Sequence, residues 1–99
     1  MLTPKQITKT QHAENDLIEI WLYSYNEWGE STADDYLDQL NTGICRLLEH
    51  PELGMDCHYV REGYRRYPIN KHLVFYKVKN TEIEIVRVLH ESMDIDSHL

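Results

Sequence analysis

The sequence predicts an α+β domain of order β-α-α-β-β-β, a helical hairpin packed on a small antiparallel sheet. Three observations predict it. Apolar residues recur at helical spacing over two stretches of the first half. The second half switches to runs of aromatic and branched residues separated by turn formers. The charge divides at the same place: residues 11–56 hold eleven acids and one base, Arg46, whereas residues 57–90 hold three acids and seven bases.

Each element has its own warrant. Residues 5–9 (KQITK) read as an edge strand after Pro4. Thr10 suits a helix N-cap, with Glu14 and Asp16 near the positive helix end. Ala13, Leu17, Ile20, Trp21 and Trp28 then follow at helix spacing, and Gly29 ends the run. Ser31, with Asp34 three residues on, is a weaker relative of the capping box. Ala33, Tyr36, Leu37, Leu40, Ile44, Leu47 and Leu48 form one stripe, stopped by Pro51 and Gly54. The short link Gly29–Ser31 makes the helices an antiparallel hairpin whose outer faces carry most of the acid.

Strands are expected at 64–69 (YRRYPI), 72–78 (HLVFYKV) and 82–90 (EIEIVRVLH), with turns at Asn70–Lys71 and Asn80. Along the last strand, Ile83, Ile85, Arg87 and Leu89 should face one way, and Glu84, Val86, Val88 and His90 the other. Both faces are partly apolar. The hairpin covers one, and the short tail or a partner covers the other.

Composition sets the bounds. Ninety-nine residues make one domain, 1–99, with a formal charge of -7 and 41% apolar residues. No apolar run is long enough to span a membrane, and MLTPKQITKT has no secretory h-region, so a cytoplasmic protein with no membrane partner is expected. Cys45 and Cys57 lack a CxxC spacing and are read as reduced structural thiols. His12, His50, His58, His72 and His98 have no metal-ligand spacing. No P-loop, GxGxxG or GxSxG occurs, so neither metal nor cofactor is expected. Asp34, Asp35 and Asp38 read as a solvated helix face. The acidic balance argues against general coating of nucleic acid.

The candidate functional residues lie mainly in the basic half. Arg61, Arg65, Arg66 and Arg87 could form an anion or carboxylate site, with Arg65 and Arg66 on opposite faces of their strand. His90, at the rim of the sheet, is suited to proton transfer or to a hydrogen bond with the backbone. Trp21 reads as core, and Trp28, at the helix end, as a partner-binding aromatic.

These residues resemble a known family. Ala13-x-x-Asp16-Leu17-x-x-Ile20-Trp21 and Trp28-Gly29 are similar to the opening of ParE-type toxins. Tyr36-Leu37-x-x-Leu40, Pro51-Glu52-Leu53-Gly54, Arg61-Glu62-Gly63-Tyr64-Arg65-Arg66 and Phe75-Tyr76 continue the likeness. Arg87-Val88-Leu89-His90-Glu91-Ser92-Met93-Asp94 closes it. The resemblance implies a member of the RelE/ParE superfamily of type II toxin–antitoxin modules. It further implies a ParD-like antitoxin as partner in a hetero-oligomer, operator DNA bound only through that antitoxin, and inhibition of DNA gyrase by direct binding without catalytic residues.

The RelE branch, which cleaves mRNA on the ribosome, is the second reading, with Arg65, Arg87 and His90 as its site. It ranks lower because residues 51–60 contain no Lys or Arg, Glu91 follows His90, and the helical half is strongly acidic. An inactive relative that only binds antitoxin is the third.

Overall fold

Thr10 is the hinge between sheet and helices. Its hydroxyl accepts from the Ala13 N–H at 3.0 Å, capping the first helix, and donates to the Val86 carbonyl at 2.8 Å. The side chain that starts the helix therefore also pins it to the sheet. The computed structural model describes residues 4–99. Its elements are β1 (Gln6–Lys9), α1 (Gln11–Trp28), α2 (Glu30–Glu49), β2 (Met55–Asp56), β3 (Tyr64–Ile69), β4 (His72–Val78), β5 (Glu82–His90) and α3 (Ile95–His98). The expected α+β order and the three long strands are all present.

Four details differ from the sequence reading. The link between the helices is Gly29 alone, not Gly29–Ser31. With φ 94° this residue sits where side chains are disfavoured, so one glycine reverses the chain and α2 begins at Glu30. Gly29 is also the N-cap of α2, with no side-chain capping bond. Secondly, the sheet has five strands in the order β1-β5-β4-β3-β2, and β1 runs parallel to β5 while the other pairs are antiparallel. Strand β2 is only two residues, too short for any periodicity to reveal. It exists because Met55 and Asp56 pair with Arg66 and Arg65.

Thirdly, β5 carries a bulge. Phe75 opposes Arg87 but Tyr76 opposes Ile85, leaving Val86 as the extra residue. The alternation of faces changes phase there. Ile83 and Ile85 share the hairpin-side core with Val88, while Leu89 lies in the cluster on the opposite face, not with Ile83 and Ile85 as simple alternation requires. Lastly, Trp21 is half-buried rather than core. It stacks on Tyr25 at a centroid distance of 5.1 Å and donates its indole N–H to Asp34 at 2.9 Å.

Two apolar clusters hold the layers. Between hairpin and sheet, Ala13, Ile44, Leu47, Val74, Tyr76, Ile83, Ile85 and Val88 are buried together. Each large aliphatic there contributes about 1.5–3 kcal/mol. On the outer face, Cys57, Phe75 and Leu89 are covered by Val60, Tyr64, Leu73, Ile95 and Leu99, so the tail does cover that side. Arg87 and Arg61 donate to the carbonyl oxygens of His98 and Leu99, tying the tail down. Both cysteines are free thiols. Among the described residues no helix is long and apolar enough to cross a membrane.

Candidate functional site: a groove beside β5

Strand β1 pairs with β5 only from Glu82 to Ile85. Beyond Ile85 the edge of β5 faces α1, and the Val88 N–H donates to Asp16 Oδ2 at 2.9 Å. A groove of about 1010 Å³ opens here between the hairpin and the adjoining ends of β4 and β5. Ile20 and Tyr23 of α1, Trp28 at its end, Tyr36 of α2, and Val88 and Met93 supply its apolar lining. Trp28 is 63% exposed and meets Tyr23 edge-on at 5.9 Å. Wide exposure of two adjoining aromatics is expensive in water unless a partner covers them.

The polar end of the groove is built by strand pairing. His72 opposes His90 across β4 and β5, with ring centroids 5.3 Å apart and planes at 85°. The Tyr36 hydroxyl lies 2.6 Å from His72 Nδ1. His90 Nδ1 accepts from the Ser92 N–H at 3.1 Å, with Ser92 Oγ at 2.7 Å. Burial, reinforced by the neighbouring His90, lowers the His72 pKa to about 4 against the pull of Glu91. Burial raises the Tyr36 pKa. His72 is therefore neutral at neutral pH.

A stability consequence follows from that depression. The unfolded chain protonates His72 near its ordinary value of 6.5, whereas the folded chain resists protonation until about pH 4. Between these values the unfolded state binds more protons, so stability falls as pH falls through this window. His72→Gln is expected to flatten the dependence of the unfolding midpoint on pH between 6.5 and 4. An unchanged slope in urea titrations would show that His72 is not its source.

The four arginines do not converge. Arg87 is held by Asp16 in a bidentate pair, Nε to Oδ2 at 2.8 Å and a terminal nitrogen to Oδ1 at 2.9 Å. These hydrogen bonds raise its pKa. Arg65 donates to the carbonyl oxygens of Gly54 at 2.9 Å and Glu52 at 3.3 Å, organising the turn after α2. Arg61 holds Val60 and Leu99. Arg66 has only the Met55 sulfur at 3.7 Å and, among the described residues, no carboxylate in ion-pair reach. Arg66 and Arg87 flank the buried Phe75 in one cross-strand row, while Arg65 lies in the neighbouring Tyr76 row. The Arg65 and His90 rows are four residues apart on β4, about 13 Å at strand rise.

Sequence reasoning missed Asp16 as the partner of Arg87, because no spacing rule connects a helix position to a strand 71 residues later. It also missed His72 as the neighbour of His90. Extrapolating the Val78–Ile83 register without a bulge sets His72 opposite Leu89; the extra Val86 moves it opposite His90.

Comparison with known proteins agrees with this architecture. Residues 7–95 match the family described as ParE toxin of type II toxin-antitoxin system, parDE. Toxin ParE1 of Caulobacter vibrioides is 42% identical over 90 residues, covering 91% of this chain and 93% of the relative. Toxin ParE1 of Mycobacterium tuberculosis is 40% identical over 88 residues, 88% of this chain and 90% of the relative. Toxin ParE of Escherichia coli is 32% identical over 91 residues, 91% of this chain and 88% of the relative. A solved chain titled "Chromosomal ParDE TA system from P. aeruginosa" shares the fold, with a TM-score of 0.77 and 19% identity over 89% of this chain and 96% of that one.

A helical hairpin on this sheet, with these relatives, defines the toxin component of a type II toxin–antitoxin module. Within that class the chain belongs to the ParE toxin family.

Proposed function

We propose that this toxin inhibits DNA gyrase by direct binding and is neutralised by a ParD-like antitoxin whose segment occupies the groove beside β5. The observation that carries a binding rather than a cleaving role is the placement of the nuclease candidates. Arg87 is committed to Asp16 and the tail, Arg65 to the Gly54 and Glu52 carbonyls, and His90 Nδ1 to Ser92. Cleavage of RNA needs such groups to meet around one phosphate. The names of the relatives support the toxin role, and the parDE title of the structural neighbour supports an antitoxin partner.

The groove fits an amphipathic segment. Apolar side chains of the antitoxin fill the space between Tyr23, Trp28 and Met93, and the complex is a hetero-oligomer that reaches operator DNA through the antitoxin alone. Arg66, on the opposite face, together with the outward parts of Arg61, is the surface offered to gyrase.

Purified gyrase tests the reading. Supercoiling is expected to fall as the toxin is added and to recover when antitoxin follows. Unaffected supercoiling over a wide toxin range, or cleaved mRNA in a translation extract, overturns it. Trp28→Ala is expected to weaken antitoxin binding by about 2 kcal/mol, roughly thirtyfold, in a calorimetric titration, as loss of an aromatic anchor does.

A further inference from the structure

Resting on the reading of the groove as the antitoxin's seat, we infer that its His72–His90 end is a carboxylate-recognition site, selecting an Asp or Glu side chain of the segment that binds there. The inference begins with the protons. A backbone N–H only donates, so His90 Nδ1, which accepts from Ser92 N–H, bears the lone pair. The neutral ring therefore carries its proton on Nε2. At His72, a phenol is the better donor and an imidazole lone pair the better acceptor, so Tyr36 donates to Nδ1 and the His72 proton is on Nε2 as well.

Among the described residues no hydrogen bond reaches either Nε2. The wall of the groove thus presents two unpaired N–H donors on rings 5.3 Å apart. Both nitrogens keep access to solvent, so a bound carboxylate replaces hydrogen bonds to water with charge-assisted ones.

The strand geometry keeps the rings close. Val88 N–H points to Asp16 and Glu91 N–H to the Lys71 carbonyl at 2.8 Å, so the intervening His72–His90 pair is the non-hydrogen-bonded type, whose side chains approach most closely.

The charges around the pair are mixed, so the preference for an anion comes from the two N–H donors rather than from the surrounding field. Lys71, in the adjoining turn, lines the groove, while Asp16 is neutralised by Arg87. Tyr36 faces the pair from α2 with its proton retained. Glu19 lies on the α1 wall, and Glu91 acts on His72 from outside the groove. A carboxylate seated on two imidazole N–H groups gains charge-assisted bonds, which an amide carbonyl does not.

The test uses the toxin alone with acetate as the probe and acetamide as its neutral counterpart, followed by the imidazole C–H signals in NMR at pH 7. Acetate is expected to shift the His72 and His90 signals in a saturable way, at a concentration at least tenfold below any shift of the other histidines. Acetamide should leave them unmoved, and His90→Gln should abolish the saturable His72 response. Equal response of all six histidines, or equal effects of acetate and acetamide, overturns the inference without touching the antitoxin reading. A second arm adds the antitoxin. If it binds and displaces acetate from the pair, the recognition holds. If it binds while both rings keep their free positions, the site has no role in recognition.

Discussion

Asp16→Ala is expected to lower stability by about 3 kcal/mol, the low end of the range for breaking a buried ion pair. The carboxylate does three things at once. One oxygen takes the Arg87 Nε and the Val88 N–H, and the other takes a terminal nitrogen of Arg87. The two side chains are only 10% and 17% exposed. Alanine leaves a guanidinium largely out of water without its counter-charge and a main-chain N–H at the sheet edge without an acceptor. Asp16→Asn keeps one acceptor and is expected to lose about half as much. Arg87→Met in the Asp16→Ala background should recover part of the loss, because the stranded charge is gone. Urea unfolding of the four chains measures it; a loss below about 1 kcal/mol for Asp16→Ala means that solvent already screens the pair.

Gly54→Ala is expected to be of similar size, for a steric reason. A Cβ there would lie 2.5 Å from the Tyr76 hydroxyl oxygen, 2.6 Å from its ring and 2.8 Å from the Arg66 carbonyl oxygen. None of these can move aside cheaply. Tyr76 is fully buried, donates to the Pro51 carbonyl at 2.6 Å and accepts from the Gly54 N–H at 2.8 Å. Arg66 O belongs to a paired strand. Overpacking of this kind costs about 1–3 kcal/mol, and displacement of the Gly54–Tyr76 bond adds about 1. The thermal midpoint should fall by more than about 10 °C for a domain of this size. Gly43→Ala is the milder comparison: the three atoms nearest its Cβ all belong to the Ile69 side chain, and the closest, at 2.5 Å, is the mobile terminal Cδ1 rather than backbone. If the two variants melt together, the tightness at Gly54 has no energetic weight.

How much was legible in the chain depends on the range of the interaction. Thr10, Gly29 and the three long strands are local decisions, made by capping, positive φ and period two, and they read correctly from neighbours in sequence. The ParE resemblance rests on ordered short strings and was equally readable. Strand β2, the bulge at Val86 and the parallel seat of β1 are settled by partners far along the chain, which no local period encodes. The same limit applies to function. Arg87 and His90 were visible as chemistry-bearing residues, but their partners Asp16 and His72 were not. With Arg87 paired, the residue reads as an internal tie rather than a free cation.

The parallel pairing of β1 with β5 also bears on how the toxin comes into being. Gln6 finds its partner only at Glu82, 76 positions later, and the groove takes walls from Asp16 through Met93. Pairing over so long a loop closes slowly and late. During synthesis α1 emerges early but lacks the strand that completes its docking surface. On the proposed reading of this groove, the antitoxin's seat does not exist on a half-made chain, and neutralisation begins only when nearly the whole toxin has left the ribosome.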